Sequence, residues 1–116
     1  MPENKKVKEA AEKAASGKIT TEDLIFDVTP FTYDGVEYKE IDLRKIKDLT
    51  ARQLEQVEDQ LSDEGKGTQA MWTSIRGATL LAAVANGKPF DWLDGMKAKD
   101  AVTIRNGVFA FFIGLV

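Results

Sequence analysis

GTQAMWTSIRGATLLAAVANG, residues 67–87, carries Met71, Trp72, Ile75, Ala78, Leu80, Leu81, Ala82, Ala83 and Val84 around a single charge, Arg76. An amphipathic surface helix needs only one apolar stripe. Met71, Ile75, Ala78 and Ala82 make such a stripe, and Trp72, Leu80, Leu81 and Val84 spill around its sides. A helix apolar on most of its circumference must be covered on most of it. The spacing predicts a helix over residues 68–86, capped by Thr68 and stopped by Gly87 with Pro89 two residues on. The rest of the chain is then read for what covers it.

At 116 residues the chain has the length of one domain. It has no cysteine and no histidine. That removes disulfides, thiolate metal sites, cysteine nucleophiles and the usual general base. The net charge is −3, so no basic excess argues for nucleic acid. The start, MPENKKVKEAAEKAASGK, is charged and lacks the apolar core of a signal peptide. The longest apolar run falls short of the roughly 20 residues that span a bilayer. These features describe a soluble, cytoplasmic protein with no cofactor and no membrane span.

Residues 1–18 read as a weakly helical or flexible arm ended by Gly17, with Val7, Ala10, Ala11, Ala14 and Ala15 on its apolar side. Residues 19–116 read as a single domain. In its first segment Thr20 and Asp23 loosely resemble a capping box, but the alternation of Leu24, Phe26 and Val28 favours a strand to Thr29, limited by Pro30. Asp34-Gly35 then sits between alternating runs, the dipeptide of a tight hairpin turn, so a hairpin is expected over about 24–46. The alternation slips at Lys39-Glu40, which suggests a bulge there. A helix over 50–64 follows, with Thr50 and Gln53 as a capping box, Leu49 and Leu54 as a staple, and Leu54, Val57 and Leu61 as the buried line. Its carboxylates Glu55, Glu58 and Asp59 have no partner acid, base or ligand in the pattern and read as a solvated face.

Pro89 to Gly95 is a connector whose Phe90, Trp92 and Leu93 either anchor it to the core or, for Trp92, offer a partner contact. The last helix is expected over 98–114, with Asp100 as its cap; the β-branched and aromatic content of its end leaves a strand open. Ala101, Ile104, Val108, Phe111 and Phe112 share one side, while Phe109, Ile113 and Leu115 point away. After Asn106 every residue is apolar or Gly. An exposed block of this kind usually marks an interface, so Phe109, Phe111, Phe112, Ile113 and Leu115, with Trp92, are the candidate partner-binding residues. The same residues packed against Trp72, Leu80 and Leu81 would be core. No phosphate loop, serine nucleophile or metal spacing is present, so no catalytic or metal site is expected. The fold class is α+β: a short β-hairpin or small antiparallel sheet packed on a mainly helical bundle of three or more helices.

The order of these motifs resembles a known family. Phe31-Thr32-Tyr33-Asp34-Gly35-Val36-Glu37-Tyr38, then Ile41-Asp42-Leu43-Arg44, then Leu49-Thr50 opening helices, is similar to the tail assembly chaperones of long-tailed bacteriophages. The resemblance covers about Leu24 to Leu61 by pattern and the helical remainder by layout. It implies a non-catalytic protein that coats the tape measure protein in the host cytoplasm and keeps it soluble until tail tube subunits assemble. It also implies self-association, and in many members a longer form made by frameshifting. Two other classes compete. One is a structural tail or connector subunit retained in the virion. The other is a peripheral membrane protein anchored by GVFAFFIGLV, which the few flanking cations disfavour.

Overall fold

The computed structural model describes residues 24–67 and 70–114. The arm expected over residues 1–18, the loose capping box at Thr20, the Thr68 cap and Leu115 lie outside the described residues. The described chain is α+β, and its elements follow in the order β1 (Ile25–Tyr33), β2 (Val36–Asp42), a 3-10 turn (Arg44–Asp48), α1 (Ala51–Asp63), α2 (Ile75–Ala85) and α3 (Ala98–Gly114). β1 and β2 form a two-stranded antiparallel sheet.

Asp34 and Gly35 make the hairpin turn with φ of 51° and 78°. Both residues of such a turn need positive φ, which Gly accepts freely and Asp better than most. The ladder pairs Asp27 with Glu40 and next pairs Phe31 with Tyr38. Val28, Thr29 and Pro30 therefore face Lys39 alone. The slip expected at Lys39-Glu40 is at this level, and the extra residues are on β1. Both strands change parity here, so Phe26 with Ile41, and Phe31 with Tyr38, all turn toward the core. Pro30 does not limit the strand as expected, because a bulge asks it for no ladder N–H. The neighbouring Thr29 N–H leaves the ladder and donates to Asp100 Oδ2 at 2.8 Å.

Asp100 is 1% exposed and sits in the first turn of α3. Its expected role as a cap is corrected: it lies inside the helix and accepts the bulge's stray N–H. A carboxylate at that place also faces the positive end of the helix dipole. Seven residues on, Gly107 meets the same strand. A Cβ there would lie 2.7 Å from Cε2 and Cζ of the Phe26 ring, too close for any real side chain.

α1 has the cap that its sequence foretells. Gln53 N–H donates to Thr50 Oγ1 at 3.3 Å, and Thr50 N–H donates to Gln53 Oε1 at 2.9 Å. Val57 and Leu61 are buried, and Leu54 packs half-buried beside them. The central helix begins later than expected. Residues 70–74 form a turn in which Ala70 O accepts from both Thr73 N–H and Thr73 Oγ1. Ser74 then caps α2, its Oγ accepting from Gly77 N–H at 3.0 Å. Short hydroxyl side chains compete for backbone groups in this way and break a helix that hydrophobicity alone would extend. Gly77 leaves room for the Met71 carbonyl, which a Cβ would strike.

From Ile75 the reading of an all-round apolar helix holds. Every residue from Gly77 to Ala83 is buried. α3 contributes most of the cover, with α1 and the 3-10 turn on other sides. Ile75 itself is the exception and stays 46% exposed. At the far end Gly87 takes φ of 67°, and Lys88 N–H returns to Ala83 O at 2.8 Å. Asn86 Nδ2 bridges Ala82 O and Asp42 O, both at 2.9 Å, tying the end of α2 to the end of β2.

Gly107→Ala tests the α3–β1 contact. Alanine gains about 1 kcal/mol of helix propensity, while overpacking costs about 1–3 kcal/mol. A net fall in the thermal midpoint of a few degrees is expected by circular dichroism. A raised midpoint would mean that the Phe26 ring moves aside freely.

Candidate functional site

α3 has two unlike faces. Inward it buries Asp100, Thr103, Ile104, Gly107, Val108 and Ala110. Outward, Val102, Arg105, Phe109, Phe112 and Ile113 recur at spacings of three and four, which sets them in one stripe. Val102 is 43% and Ile113 55% exposed, and the two phenylalanines are half-buried.

The turn before α2 borders this stripe. Trp72 stacks on Phe112 with ring centroids 4.8 Å apart and planes 11° from parallel. Phe111 meets Phe112 edge-on at 5.1 Å. The Arg105 guanidinium lies 5.2 Å from the Phe109 ring centroid. It also donates from Nε to Thr73 O at 2.9 Å and from Nη1 to Asn106 Oδ1 at 3.0 Å. The cation thus pins the 70–74 turn against α3 and lies over the Phe109 ring. Beside the turn, Ile75, Leu93, Met96 and Ala101 line a groove with Lys66 and Arg76 among its walls.

The candidate partner-binding residues divide. Phe109, Phe112 and Ile113 lie on the stripe. Phe111, and Phe112 with it, lean half-buried on the core. Leu115 lies outside the described residues. Trp92 is corrected: it is 3% exposed and no surface contact. The hairpin covers it, with Tyr38 edge-on at 5.3 Å and Phe31 at 6.5 Å. Lys88 Nζ lies 5.9 Å from its ring centroid, and Tyr33 Oη donates to Asp91 Oδ1 at 2.8 Å, closing the hairpin over the connector.

Trp72, Val102 and Arg105 are the stripe residues that sequence reading passed over as contacts. Val102 was findable, since it stands seven positions before Phe109. Trp72 was read instead as a packing partner of the C-terminal block, and its stack on Phe112 is that contact.

Charge is handled away from the stripe. Glu55, Glu58 and Asp59 are exposed on α1, and among the described residues no three His, Cys, Asp or Glu side chains gather to hold a metal. Arg76 joins three elements: it donates to Glu64 Oε1 and Oε2 at 2.8–3.2 Å and to Asp94 Oδ1 at 2.9 Å. Gln60 Nε2 adds a bond to Glu64 Oε2 at 2.7 Å. The bonds from Arg76, then that from Gln60, hold the Glu64 carboxyl down at about 2, against an ordinary 4.5.

No protein-family model, curated protein or solved structure matches this chain. Among the described residues no helix is long and apolar enough to cross a membrane.

The Glu64 ionisation carries a pH prediction. A carboxyl depressed in the folded state contributes stability above its unfolded value, here 4.5, and loses it as pH falls toward about 2. Glu64→Gln should therefore melt below the parent at neutral pH, with the gap closing through that acid window. A gap constant with pH would mean that the ion pair adds nothing to folding.

Proposed function

We propose that this chain is a tail assembly chaperone of a long-tailed bacteriophage, which binds the tape measure protein and keeps it soluble in the host cytoplasm until the tail tube forms around it. The reading combines the motif order from Phe31 to Thr50 with one observation, the partly open aromatic stripe of α3. No chemistry is assigned to the protein; it acts by contact.

A largely helical client presents apolar residues at three- and four-residue spacing. Such a helix lays its apolar side into a matching groove or stripe. Phe109, Phe112 and Ile113, with Trp72 beside them, give rigid aromatic area at small entropic cost, and Arg105 is already fixed by Thr73 and Asn106. Aromatic and arginine side chains are the types that dominate contact energetics. The acidic outer face of α1 keeps the complex apart from its copies. Self-association through the same stripe would compete with the client.

Phe109→Asp with Phe112→Asp should weaken capture of the tape measure protein by at least about tenfold, as expected of central contact residues. Both rings are half-buried, so Ile113→Asp, at an exposed position, is measured beside them and should weaken capture in the same direction. Wild-type capture by both variants would remove the stripe from the mechanism. Mass spectrometry of purified virions separates the alternative: a chaperone is absent from the particle, and a structural tail or connector subunit is retained.

A further inference from the structure

We propose that the partner of the α3 stripe is a helix of another protein that sets a carboxylate beside its apolar residues, and that Arg105 is the residue that selects for it. This selection rests on the contact role proposed above for the stripe, and it adds the chemistry of what the stripe takes.

Arg105 is held and yet uncompensated. Its Nε donates to Thr73 O at 2.9 Å, its Nη1 donates to Asn106 Oδ1 at 3.0 Å, and its guanidinium lies 5.2 Å from the Phe109 ring centroid. Both accepting oxygens are neutral. Among the described residues no carboxylate pairs with this cation, and Nη2 has no acceptor. Arg76 on α2, by contrast, directs its donors to Glu64 and Asp94. α3 has no acid of its own to offer. Its Asp100 is buried and bonded to Thr29, and its remaining charge, Lys99, is another cation.

Covering the stripe makes the missing charge matter. Arg105 is half-buried and stands four residues, about 6 Å along the axis, before Phe109. A helix that lies over Phe109, Phe112 and Ile113 also takes the guanidinium out of water. A wholly apolar helix would leave that cation desolvated and unpaired, which is costly. A carboxylate within reach of Nη2 would make a charge-assisted bond at little ordering cost, since Thr73 and Asn106 already fix the side chain. The favoured partner therefore carries Asp or Glu about one helical turn from its apolar residues.

A second copy of this chain does not supply that combination. Two copies paired through one face meet isologously, so two stripes would bring two arginines and no carboxylate. The acidic helix of another copy fails for the opposite reason. The exposed residues of α1 include Glu55, Glu58 and Asp59 but no large apolar side chain, because Val57 and Leu61 are buried.

Two labelled synthetic helices test this. Each carries leucines at i, i+3, i+4 and i+7, and they differ only in the residues that flank that row at both ends, Glu in one and Gln in the other. Fluorescence anisotropy with the full chain at low salt should give a Kd about tenfold lower for the Glu helix. The chain's net charge of −3 acts against an acidic peptide, so such a preference is local. Arg105→Gln should erase the preference and leave the Gln helix bound as before, whereas a loosened fold would weaken both helices alike. Where that variant does not fold, the order of the two helices on the unaltered chain decides. Equal affinities there, tighter binding of the Gln helix, or a preference that survives Arg105→Gln would overturn the role of Arg105 and leave the stripe standing. Binding of neither helix would overturn the selection and the contact role together.

Discussion

A helix with no polar side has nowhere to face water, and α2 is such a helix. Gly77 to Ala83 are buried without a break. Apolar burial is worth about 25 cal/mol per Å², so leaving any side of α2 open would be costly. The chain meets this by surrounding it, with α3, α1 and the 3-10 turn each taking a sector. Gly77, Ala78, Ala82, Ala83 and Ala85 keep α2 thin, so three neighbours fit around one axis. Polar duties are moved to its ends, where Arg76 holds Glu64 and Asp94 and Asn86 holds Asp42 O.

The hairpin depends on that arrangement at one remove. Two strands alone are marginal in water. Here they are fixed to α3 at two points, the Thr29–Asp100 bond and the Phe26–Gly107 contact. The bulge makes both possible. It frees one N–H for a buried carboxylate and flips the parity of both strands, so Phe26 and Phe31 face inward from the same ladder. Phe31, Tyr38 and Trp92 then close over the connector between α2 and α3.

Local chemistry was legible in the sequence; tertiary choice was not. The Asp34-Gly35 turn, the Thr50–Gln53 box and the stop at Gly87 each depend on residues within a few positions, and each forms as read. The level of the bulge was visible as a broken alternation at Lys39-Glu40. Which strand held the extra residues was not, because that depends on pairing across the turn. The start of α2 was misread because Met71 and Trp72 extend the apolar pattern past Ser74, and the pattern hides the cap. Trp92 was open between core and surface, since only the hairpin's position buries it. Phe111 and Phe112 were read on the core stripe and do pack half-buried against the core; Phe109 and Ile113 were read as facing away, and Ile113 is exposed while Phe109 is half-buried.

What remains open on α3 follows from how its partners are used. A straight helix packed on α2 along one side and β1 along another still has a third. Most globular helices fill that side with charge. α3 fills it with Val102, Phe109, Phe112 and Ile113, and its one cation there, Arg105, is turned inward to Thr73. Elsewhere exposed apolar groups stand singly, as Val36 does at the hairpin turn, and a lone exposed side chain needs no explanation. The outer side of α3 is different because the exposed groups share one helix face and adjoin an aromatic stack. Phe112 packs partly against the core, while Val102 and Ile113 stay exposed outside it. That grouping is the physical basis of the contact role proposed for the stripe.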